Sequence, residues 1–245
     1  MMWKRCVVMT GFANSKLVTE KECIEIQEKL SERMIQHNNF DVNNIRFIAG
    51  VDLAYWMVEE TEYAVCSIVV IDQNSMEVIE KINHKGKITF PYIPGCLSFR
   101  ELPLIIETVD QVKTAVDLFV FDGNGYLHPR HMGIATHASI ILNKPSIGVA
   151  KSYYKIKETD FTMPGNQRGD FTDIIIENEV YGRVLRTMEH VKPIFISVGN
   201  NIDLDTSTTI INKLVTKESH IPMPTRLADI ETRKMRTYFL NNQDV

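Results

Sequence analysis

One segment, residues 118–151, constrains the fold more than any other part of this sequence. An apolar run at 118–121 ends in Asp122 and a Gly-Asn-Gly turn, and after a helix-like stretch a second apolar run at 146–150 ends in Lys151. This order predicts a strand, a loop, a helix and a second strand. In open α/β sheets, ligand sites gather beyond the carboxyl ends of the strands. The segment therefore predicts an α/β fold in which Asp122 and Lys151 converge on one sheet edge.

The loop of this segment brings histidine and arginine to the same edge. It contains His128, Arg130 and His131, and His137 follows in the helix-like stretch. An acid, a lysine and imidazole groups together suit metal-assisted chemistry on a phosphate. Taken singly, His131 is interpreted as a phosphate contact or a solvated side chain. His137 is expected to face the sheet and bond a backbone group rather than act in catalysis.

The composition is that of an ordinary globular protein. The chain has 245 residues, of which 44% are hydrophobic and 24% charged, and its formal net charge is −4. No apolar run approaches the roughly 18 residues that span a bilayer, and the start lacks a signal-peptide pattern. We therefore expect one domain, residues 1–245, that is cytoplasmic, has no membrane partner and acts as a monomer. The negative charge argues against nonspecific whole-surface binding of nucleic acid, but it allows a local basic groove.

The cysteines form no metal-binding or disulfide pattern. All four are scattered singly along the chain, at Cys6, Cys23, Cys66 and Cys96. Closely spaced pairs would be typical of a zinc site. We interpret all four as packing residues.

Hydrophobic periodicity predicts the remaining elements. A helix over 18–37 with Thr19 as its N-cap precedes the strands, and Ser98 is expected to cap an amphipathic helix that ends near residue 114. Residues 158–172 are predicted to be an exposed loop, and a Pro-punctuated tail is expected after a last helix. The predicted strands are 45–55, 63–72, 78–88, 174–176, 184–187 and 194–198, and the last helix is 205–215.

Asp52 is the most unusual of the acidic residues, because it lies inside an apolar strand-like run. A buried carboxylate loses several kcal/mol of hydration unless a cation, a metal or hydrogen-bond donors replace the water. The structural alternative is an Asp bonded to backbone amides at a bulge. Asp122 taken singly is ordinary turn chemistry before glycine.

Two further acids have structural explanations of their own. Glu101 lies three residues after Ser98, the spacing of a capping box, and Asp229 lies three residues after Arg226, where an ion pair is the default expectation. Considered together, however, the two strand-borne residues Asp52 and Asp122 and the helix-borne Glu101 are expected to supply oxygen ligands for one or two hard divalent cations. Magnesium uses few carboxylates together with water and substrate phosphate.

Four blocks of sequence, in a fixed order, resemble the endonuclease V family, nucleases that recognise deaminated purines in nucleic acid. The blocks span roughly residues 45–230, and their combination is far more specific than any block alone. They are Gly50-Val51-Asp52; Pro91-Tyr92-Ile93-Pro94-Gly95 with Leu97-Ser98-Phe99-Arg100-Glu101; Asp122-Gly123-Asn124-Gly125 through His128-Pro129-Arg130 to Lys151-Ser152; and Pro224-Thr225-Arg226-Leu227-Ala228-Asp229. The resemblance implies an α/β, ribonuclease H-like mixed five-stranded sheet flanked by helices, with acids on its first and fourth strands.

The resemblance also implies roles for individual residues. The implied metal ligands are Asp52, Asp122 and Glu101, and the implied further catalytic residues are His128 and Lys151 near the scissile phosphate and Asp229 at a late active-site position. The loop around Tyr92 and Pro94 is similar to the family's wedge, which fills the gap left by an extruded base. The implied base pocket uses backbone groups near Gly95, Leu97, Gly123 and Ile134.

The activity implied by the resemblance is Mg²⁺-dependent hydrolysis, with Mn²⁺ as a substitute, of a phosphodiester bond 3′ to inosine. Inosine-containing DNA and possibly RNA are the implied substrates. Two alternatives remain open: a structure-specific nuclease of the same fold, and a nucleic-acid-binding module without catalysis. The chain departs from the family at Cys96, at Ala138-Ser139 and at Asn200, none of which removes a candidate metal ligand.

Overall fold

The computed structural model describes residues 18–242. Its centre is one eight-stranded sheet in the order β3-β2-β1-β4-β5-β8-β7-β6. The strands are β1 Phe47–Val58, β2 Thr61–Asp72, β3 Glu77–Lys87, β4 Leu118–Asp122, β5 Ser146–Ala150, β6 Phe171–Ile176, β7 Glu179–Leu185 and β8 Ile194–Asn200. The helices are α1 Glu20–Ser31, α2 Leu97–Val109, α3 Ile134–Leu142, α4 Leu204–Leu214 and α5 Met223–Asn242, with a short 3₁₀ turn at Val42–Asn44.

The predicted mixed sheet flanked by helices is confirmed, but it has eight strands rather than five. Strand β1 pairs antiparallel with β2 and parallel with β4, and β4 pairs parallel with β5. These strands together with β3 form the expected five. Beyond β5 the sheet continues through β8, β7 and β6, all in antiparallel pairing. The extension arises because β8 pairs with the free side of β5, so the late strands join the same sheet.

Strand β4 shows how the sheet separates two hydrophobic layers. Leu118 and Val120 pack in a cluster that includes residues of α4 and α5. Phe119 and Phe121 pack in a second cluster with residues of α2 and α3. Successive side chains of a strand point to opposite faces, so a strand covered on both sides is apolar throughout until it reaches the edge. Asp122 is the residue at which this apolar run ends.

The predicted Pro-punctuated tail is wrong, because residues 223–242 form the 20-residue helix α5. Pro224 is in its first turn, where the missing backbone N–H costs no intrahelical hydrogen bond. The helix begins against β1 at Gly50, where an added Cβ would lie 2.1 Å from the carbonyl carbon of Pro224. A glycine at this position therefore allows α5 to cross close to the strand that carries Asp52.

The two predicted helix caps have different outcomes. Thr19 is confirmed as the N-cap of α1, in a capping box with Glu22. Ser98 does not cap α2, which begins at Leu97 with Cys96 at the cap position and no side-chain cap bond. Ser98 is buried, and its Oγ lies 2.8 Å from His137 Nδ1. Burial against α3 thus replaces the local capping role. Both helices are shorter than predicted.

None of the helices between residues 18 and 242 has the length and apolar character required to cross a membrane.

Candidate active site

Asp52 and Asp122 are neighbours at the carboxyl end of β4. Val51 is the register partner of Phe121, and each of these residues is followed by the aspartate. Adjacent strands lie about 4.8 Å apart, so the two carboxyl groups belong to one site. The carboxylate of Asp52 accepts a 2.7 Å hydrogen bond from the Thr232 hydroxyl of α5. Burial raises the pKa of Asp52 to about 6, and the charges of Asp122 and Asp229 contribute to the rise.

Glu101 approaches the same site from α2. Its Oε1 accepts a 2.5 Å hydrogen bond from the hydroxyl of Tyr55, which lies three residues after Asp52 in β1. Burial raises the pKa of Glu101 to about 7, and the charges of Asp52 and Asp122 raise it further, whereas the bond from Tyr55 opposes the rise. The predicted capping box with Ser98 is therefore wrong, because Tyr55 is the partner of Glu101.

Lys151 closes the site from the end of β5. Its Nζ lies 2.5 Å from Asp122 Oδ2 and 3.9 Å from Asp229 Oδ2. Burial disfavours the charged ammonium, but the hydrogen bond to Asp122 and the surrounding aspartates raise the pKa of Lys151 overall. The ammonium is therefore held charged beside the acids while the side chain stays 41% exposed to solvent.

Asp229, from α5, belongs to the same cluster. Its Oδ2 is also 3.0 Å from Arg233 Nη2. The predicted ion pair between Asp229 and Arg226 is wrong, because Arg226 Nη1 instead lies 2.7 Å from Glu218. The helical turn of α5 directs Arg226 away from the sheet edge.

The oxygen donors of this cluster suit a hard divalent cation. Each carboxylate is engaged by a protein donor: Asp52 by Thr232, Glu101 by Tyr55 and Asp122 by Lys151. With the side chains in these positions, no group of three or more His, Cys, Asp or Glu within residues 18–242 is close enough to coordinate a metal ion. Burial is the main cause of the raised pKa values of Asp52 and Glu101, and the neighbouring carboxylates raise them further, so a cation between these groups would favour their ionised forms.

The loop before α2 presents Tyr92 to solvent. Tyr92 is 69% exposed, which agrees with a surface role and not with a place in the core. After it, the N–H of Cys96 donates a 2.9 Å hydrogen bond to the carbonyl of Ile93, and Gly95 has φ +76°. Proline followed by a positive-φ glycine is typical of a type II turn. The Pro94-Gly95 pair thus sets the backbone that carries the exposed ring.

A cavity of about 130 Å³ lies behind this loop. Four of the predicted substrate-binding residues line it: Tyr92, Gly95, Leu97 and Ile134. Pro94 and Gly123 are not among its lining residues. Gly123 lies behind the wall, since a Cβ at this position would be 2.7 Å from Ile134 Cγ2. The cavity is also lined by Ser98, Asn124, His128, Met132, Gly133 and Tyr154.

Sequence reasoning missed two notable polar groups of this cavity. Asn124 Oδ1 is buried and has no hydrogen-bond partner within residues 18–242. The sequence signal for Asn124 was its position directly after Asp122-Gly123. The predicted Gly-Asn-Gly turn already accounted for an asparagine at this position. Tyr154 is 40% exposed on the segment after β5, and no local pattern distinguishes it from a surface tyrosine.

His128 lies at the cavity and not among the acids. The backbone N–H groups of Arg130 and Met132 point to Nδ1 at 3.2 and 3.4 Å, so Nδ1 accepts and Nε2 carries the proton. Nε2 then donates to the Gly95 carbonyl at 3.0 Å. Burial and the charge of Arg130 lower the pKa of His128 to about 4. His128 is therefore neutral with both ring nitrogens engaged at the cavity, and its place near a scissile phosphate stays a prediction.

The other two histidines of this segment have packing partners. His131 stacks on Tyr126 with ring centroids 4.0 Å apart and lies 3.7 Å from Glu179. Its side chain is 24% exposed and thus only partly solvated, and the predicted phosphate contact stays a prediction. His137 is fully buried against Phe99, and its Nδ1 lies 2.8 Å from the Ser98 hydroxyl. Its predicted structural role is confirmed, with Ser98 as a partner that the sequence did not indicate.

The predicted packing role of the cysteines is confirmed for three of them. Cys23, Cys66 and Cys96 are free thiols and buried. Cys6 lies outside the described residues.

Comparison with known proteins identifies the family of this chain. A sequence model of the endonuclease V family matches residues 28–230. Endonuclease V of Bacillus thuringiensis subsp. konkukian is 58% identical over 230 residues, which cover 94% of this chain and 97% of that protein. Endonuclease V of Bacillus subtilis is 51% identical over 91% of this chain and 94% of that protein.

Solved structures share the fold. The crystal structure of Bacillus subtilis endonuclease V superposes with a TM-score of 0.88, at 51% identity over 91% of this chain and 94% of that chain. Endonuclease V of Ciona intestinalis, in complex with a 24mer DNA containing an inosine followed by a ribo-adenosine, has a TM-score of 0.81 at 28% identity, covering 89% of this chain and 98% of that one. The chain therefore belongs to the endonuclease V family, with its ribonuclease H-like fold, and is a nuclease.

Proposed function

We propose that this protein is a magnesium-dependent endonuclease that recognises inosine in nucleic acid by extruding the base and hydrolyses a phosphodiester bond on its 3′ side, the second bond as in the family. One observation carries the proposal: the segments that supply the acids also supply the walls of the cavity. Helix α2 contributes Leu97 and Ser98 to the cavity and Glu101 to the acid site. Asn124 lines the cavity two residues after Asp122. A base in the cavity therefore places its own backbone beside the acids.

The carboxylates of Asp52, Asp122 and Glu101 are the residues that would hold Mg²⁺, with Mn²⁺ as a substitute. When bound, the metal polarises the phosphodiester and lowers the pKa of water. Lys151 keeps its charge beside Asp122 and is placed to neutralise negative charge that develops on the phosphate. Thr232 and Tyr55 orient the carboxylates through their hydroxyl groups. Asp229 in turn holds Lys151 toward the site.

Recognition of the base is assigned to the Tyr92 loop and the cavity. Stacking of an aromatic ring on a base contributes about 1–3 kcal/mol, so the exposed Tyr92 ring can replace the base that leaves the stack. Backbone groups near Gly95, Leu97, Gly123 and Ile134 read the edge of the extruded base, with Pro94 stiffening the loop. A deaminated purine differs from adenine at this edge, where a carbonyl oxygen replaces an amino group. Backbone N–H donors therefore favour inosine.

The proposed setting is that of a monomeric, single-domain enzyme of the cytoplasm that acts in DNA repair or in processing of inosine-containing RNA. The choice between these substrates depends on contacts to the ribose 2′-hydroxyl. Matched DNA and RNA oligonucleotides would separate the two.

The test is cleavage of a duplex with a single deoxyinosine, compared with the same duplex carrying deoxyadenosine, with Mg²⁺ and with a chelator. We expect metal-dependent cleavage of the inosine duplex alone, and a product whose 5′ end maps to the second bond 3′ of inosine. Asp52→Asn should reduce the rate by about 10³-fold or more, since it removes a metal ligand at nearly constant volume and such a metal contributes several kcal/mol. Equal cleavage of both duplexes would favour a structure-specific nuclease, and specific binding without cleavage would favour a non-catalytic module.

A further inference from the structure

The carbonyl oxygen of Gly95 accepts hydrogen bonds from three side chains. The donors are Gln27 Nε2 at 2.9 Å, His128 Nε2 at 3.0 Å and Arg130 Nη2 at 2.8 Å. A carbonyl oxygen has two lone pairs, so this one is saturated, and one of its donors carries a full charge. Such a concentration of donors on one backbone atom holds the turn after Tyr92 in a single position.

Gln27 is the member of this group that has no place in the reaction proposed above. It lies in α1, is 0% exposed, and uses its amide fully. Besides Gly95, its Nε2 donates to the Met132 carbonyl at 3.3 Å, and its Oε1 accepts from Arg130 Nε at 2.6 Å. Gln27 therefore joins α1 to both loops that line the cavity. It also fixes the guanidinium of Arg130, which in turn points at Gly95.

The Tyr92 loop has few other anchors. The ring of Tyr92 and the side chain of Pro94 are exposed. Phe90 and Ile93 are only partly buried, against the small cluster of Cys23, Cys96 and Phe99. The position of the ring therefore depends mainly on the backbone of the turn. That backbone is held by the hydrogen bonds to Gly95. Within residues 18–242 the other backbone anchors of this loop are the bond from Cys96 to Ile93 and, further back, the bond from Arg100 Nη1 to the Phe90 carbonyl.

We infer that Gln27 is a positioning residue for base extrusion: from α1 it locks the Gly95 carbonyl, with Arg130 and His128, so that Tyr92 and the cavity wall are pre-formed before the substrate binds. This inference rests on the proposed function. Pre-forming a loop removes the cost of ordering it on binding. A displacement of about 1 Å away from the reacting atoms can cost about 10²-fold in rate.

Gln27→Met tests this role, because it keeps the length of the side chain and removes both the donor and the acceptor. The matched control is Ser207→Ala, which removes a buried hydrogen bond, Oγ to the Asp203 carbonyl at 2.7 Å, in α4 and away from the cavity. Both variants lose stability. Only Gln27→Met should lower the single-turnover cleavage rate, by about 10- to 100-fold. It should also reduce the increase in fluorescence that a 2-aminopurine beside inosine shows when the base leaves the stack. Its Mg²⁺ concentration dependence should stay unchanged.

Hydrogen–deuterium exchange of peptides covering residues 91–97 in the free protein gives a readout that does not require activity. We expect faster exchange there in Gln27→Met and not in Ser207→Ala. If the wild-type protein fails to cleave inosine substrates but the exchange difference is present, the proposed function fails and the loop-positioning role stands. Unchanged exchange, or a cleavage rate equal to wild type at a temperature where both variants are folded, overturns the inference. Should Gln27→Met not fold, Gln27→Glu retains the acceptor for Arg130 and permits the same measurements.

Discussion

The acid site and the base cavity lie next to each other, yet they are held in opposite ways. In the acid site, burial raises the pKa values of Asp52 and Glu101 to about 6 and about 7, and the neighbouring carboxylates raise them further. At the cavity, the Gly95 carbonyl is instead fully hydrogen-bonded by protein donors, one of which, Arg130, is charged. A cation would favour the ionised carboxylates of the acid site, whereas the turn at the cavity is held by protein donors before any ligand binds. Changes in the acid site should alter chemistry, whereas changes in the cavity should alter recognition.

After Asp52→Asn, the largest expected effect concerns Lys151. Lys151→Ala should lower the single-turnover rate at saturating enzyme and Mg²⁺ by about 10²–10³-fold, as expected when a charge that stabilises the transition state is lost. The matched control is Lys155→Ala, because Lys155 is a nearby lysine whose ammonium pairs with Asp160 at 3.1 Å instead of with the acids. The same rate in both variants would reduce Lys151 to general electrostatic attraction of nucleic acid.

Two glycines with positive φ, Gly95 at the cavity and Gly169 away from it, separate an effect on recognition from an effect on stability. Gly95→Ala should destabilise the fold by about 1–2 kcal/mol through its positive φ, and should also slow cleavage of inosine substrates, since the new Cβ would lie 2.8 Å from Arg130 Nη2. Gly169→Ala carries similar backbone strain at φ +95°, and its nearest contact outside its own neighbours is Asn212 Nδ2 at 3.8 Å. Thermal unfolding and cleavage should therefore change together only at Gly95. Normal cleavage by Gly95→Ala would argue that the cavity tolerates movement of the turn.

Tyr92 tests whether recognition can be lost without loss of the fold. Tyr92→Ala should weaken binding to inosine-containing duplex by about 1–3 kcal/mol, the contribution of one stacked base, with little change in melting temperature because the ring is exposed. Tyr238→Ala, another exposed tyrosine, serves as the control. A large loss of stability in Tyr92→Ala, or equal binding by both variants, would contradict the assigned wedge role.

The smallest expected effect is the pH dependence of stability in the metal-free protein. Asp52 and Glu101 titrate at about 6 and about 7 in the fold, but at about 4 in an unfolded chain. Between pH about 4 and pH about 7 the folded state therefore binds more protons than the unfolded chain. The stabilisation that comes from these protons is complete below pH about 4, and it is lost as pH rises through about 7. Chelated wild type should lose on the order of 1 kcal/mol, or about 2–4 °C in melting temperature, more than Asp52→Asn between pH 5 and pH 8. Parallel pH profiles would show that the pKa of Asp52 is not raised in the fold.

Several features were determined by local sequence. The apolar runs that end in Asp122 and Lys151 predicted their strands because continuous apolar character is what a strand covered on both faces requires. Thr19 was read correctly as a cap, since its partner is only three residues away. The Pro94-Gly95 pair also has a local explanation, because proline fixes its own φ and glycine accepts the positive φ that the turn requires. The order of the four sequence blocks carried the resemblance to the endonuclease V family, and the comparisons with known proteins confirmed this family.

Other features were decided only by the tertiary structure, because their hydrogen-bond partners are distant in the chain. Glu101 meets Tyr55 across 46 positions, Gln27 meets Gly95 across 68, and Asp52 meets Thr232 across 180. A polar side chain has many possible partners in sequence, and only packing selects one. The local pattern even misled at Ser98, where burial against His137 outweighs a helix cap. The sequence by itself therefore determined which residues are candidates for the chemistry, and the packing of α1, α2 and α5 on the sheet decided what holds each of them in place.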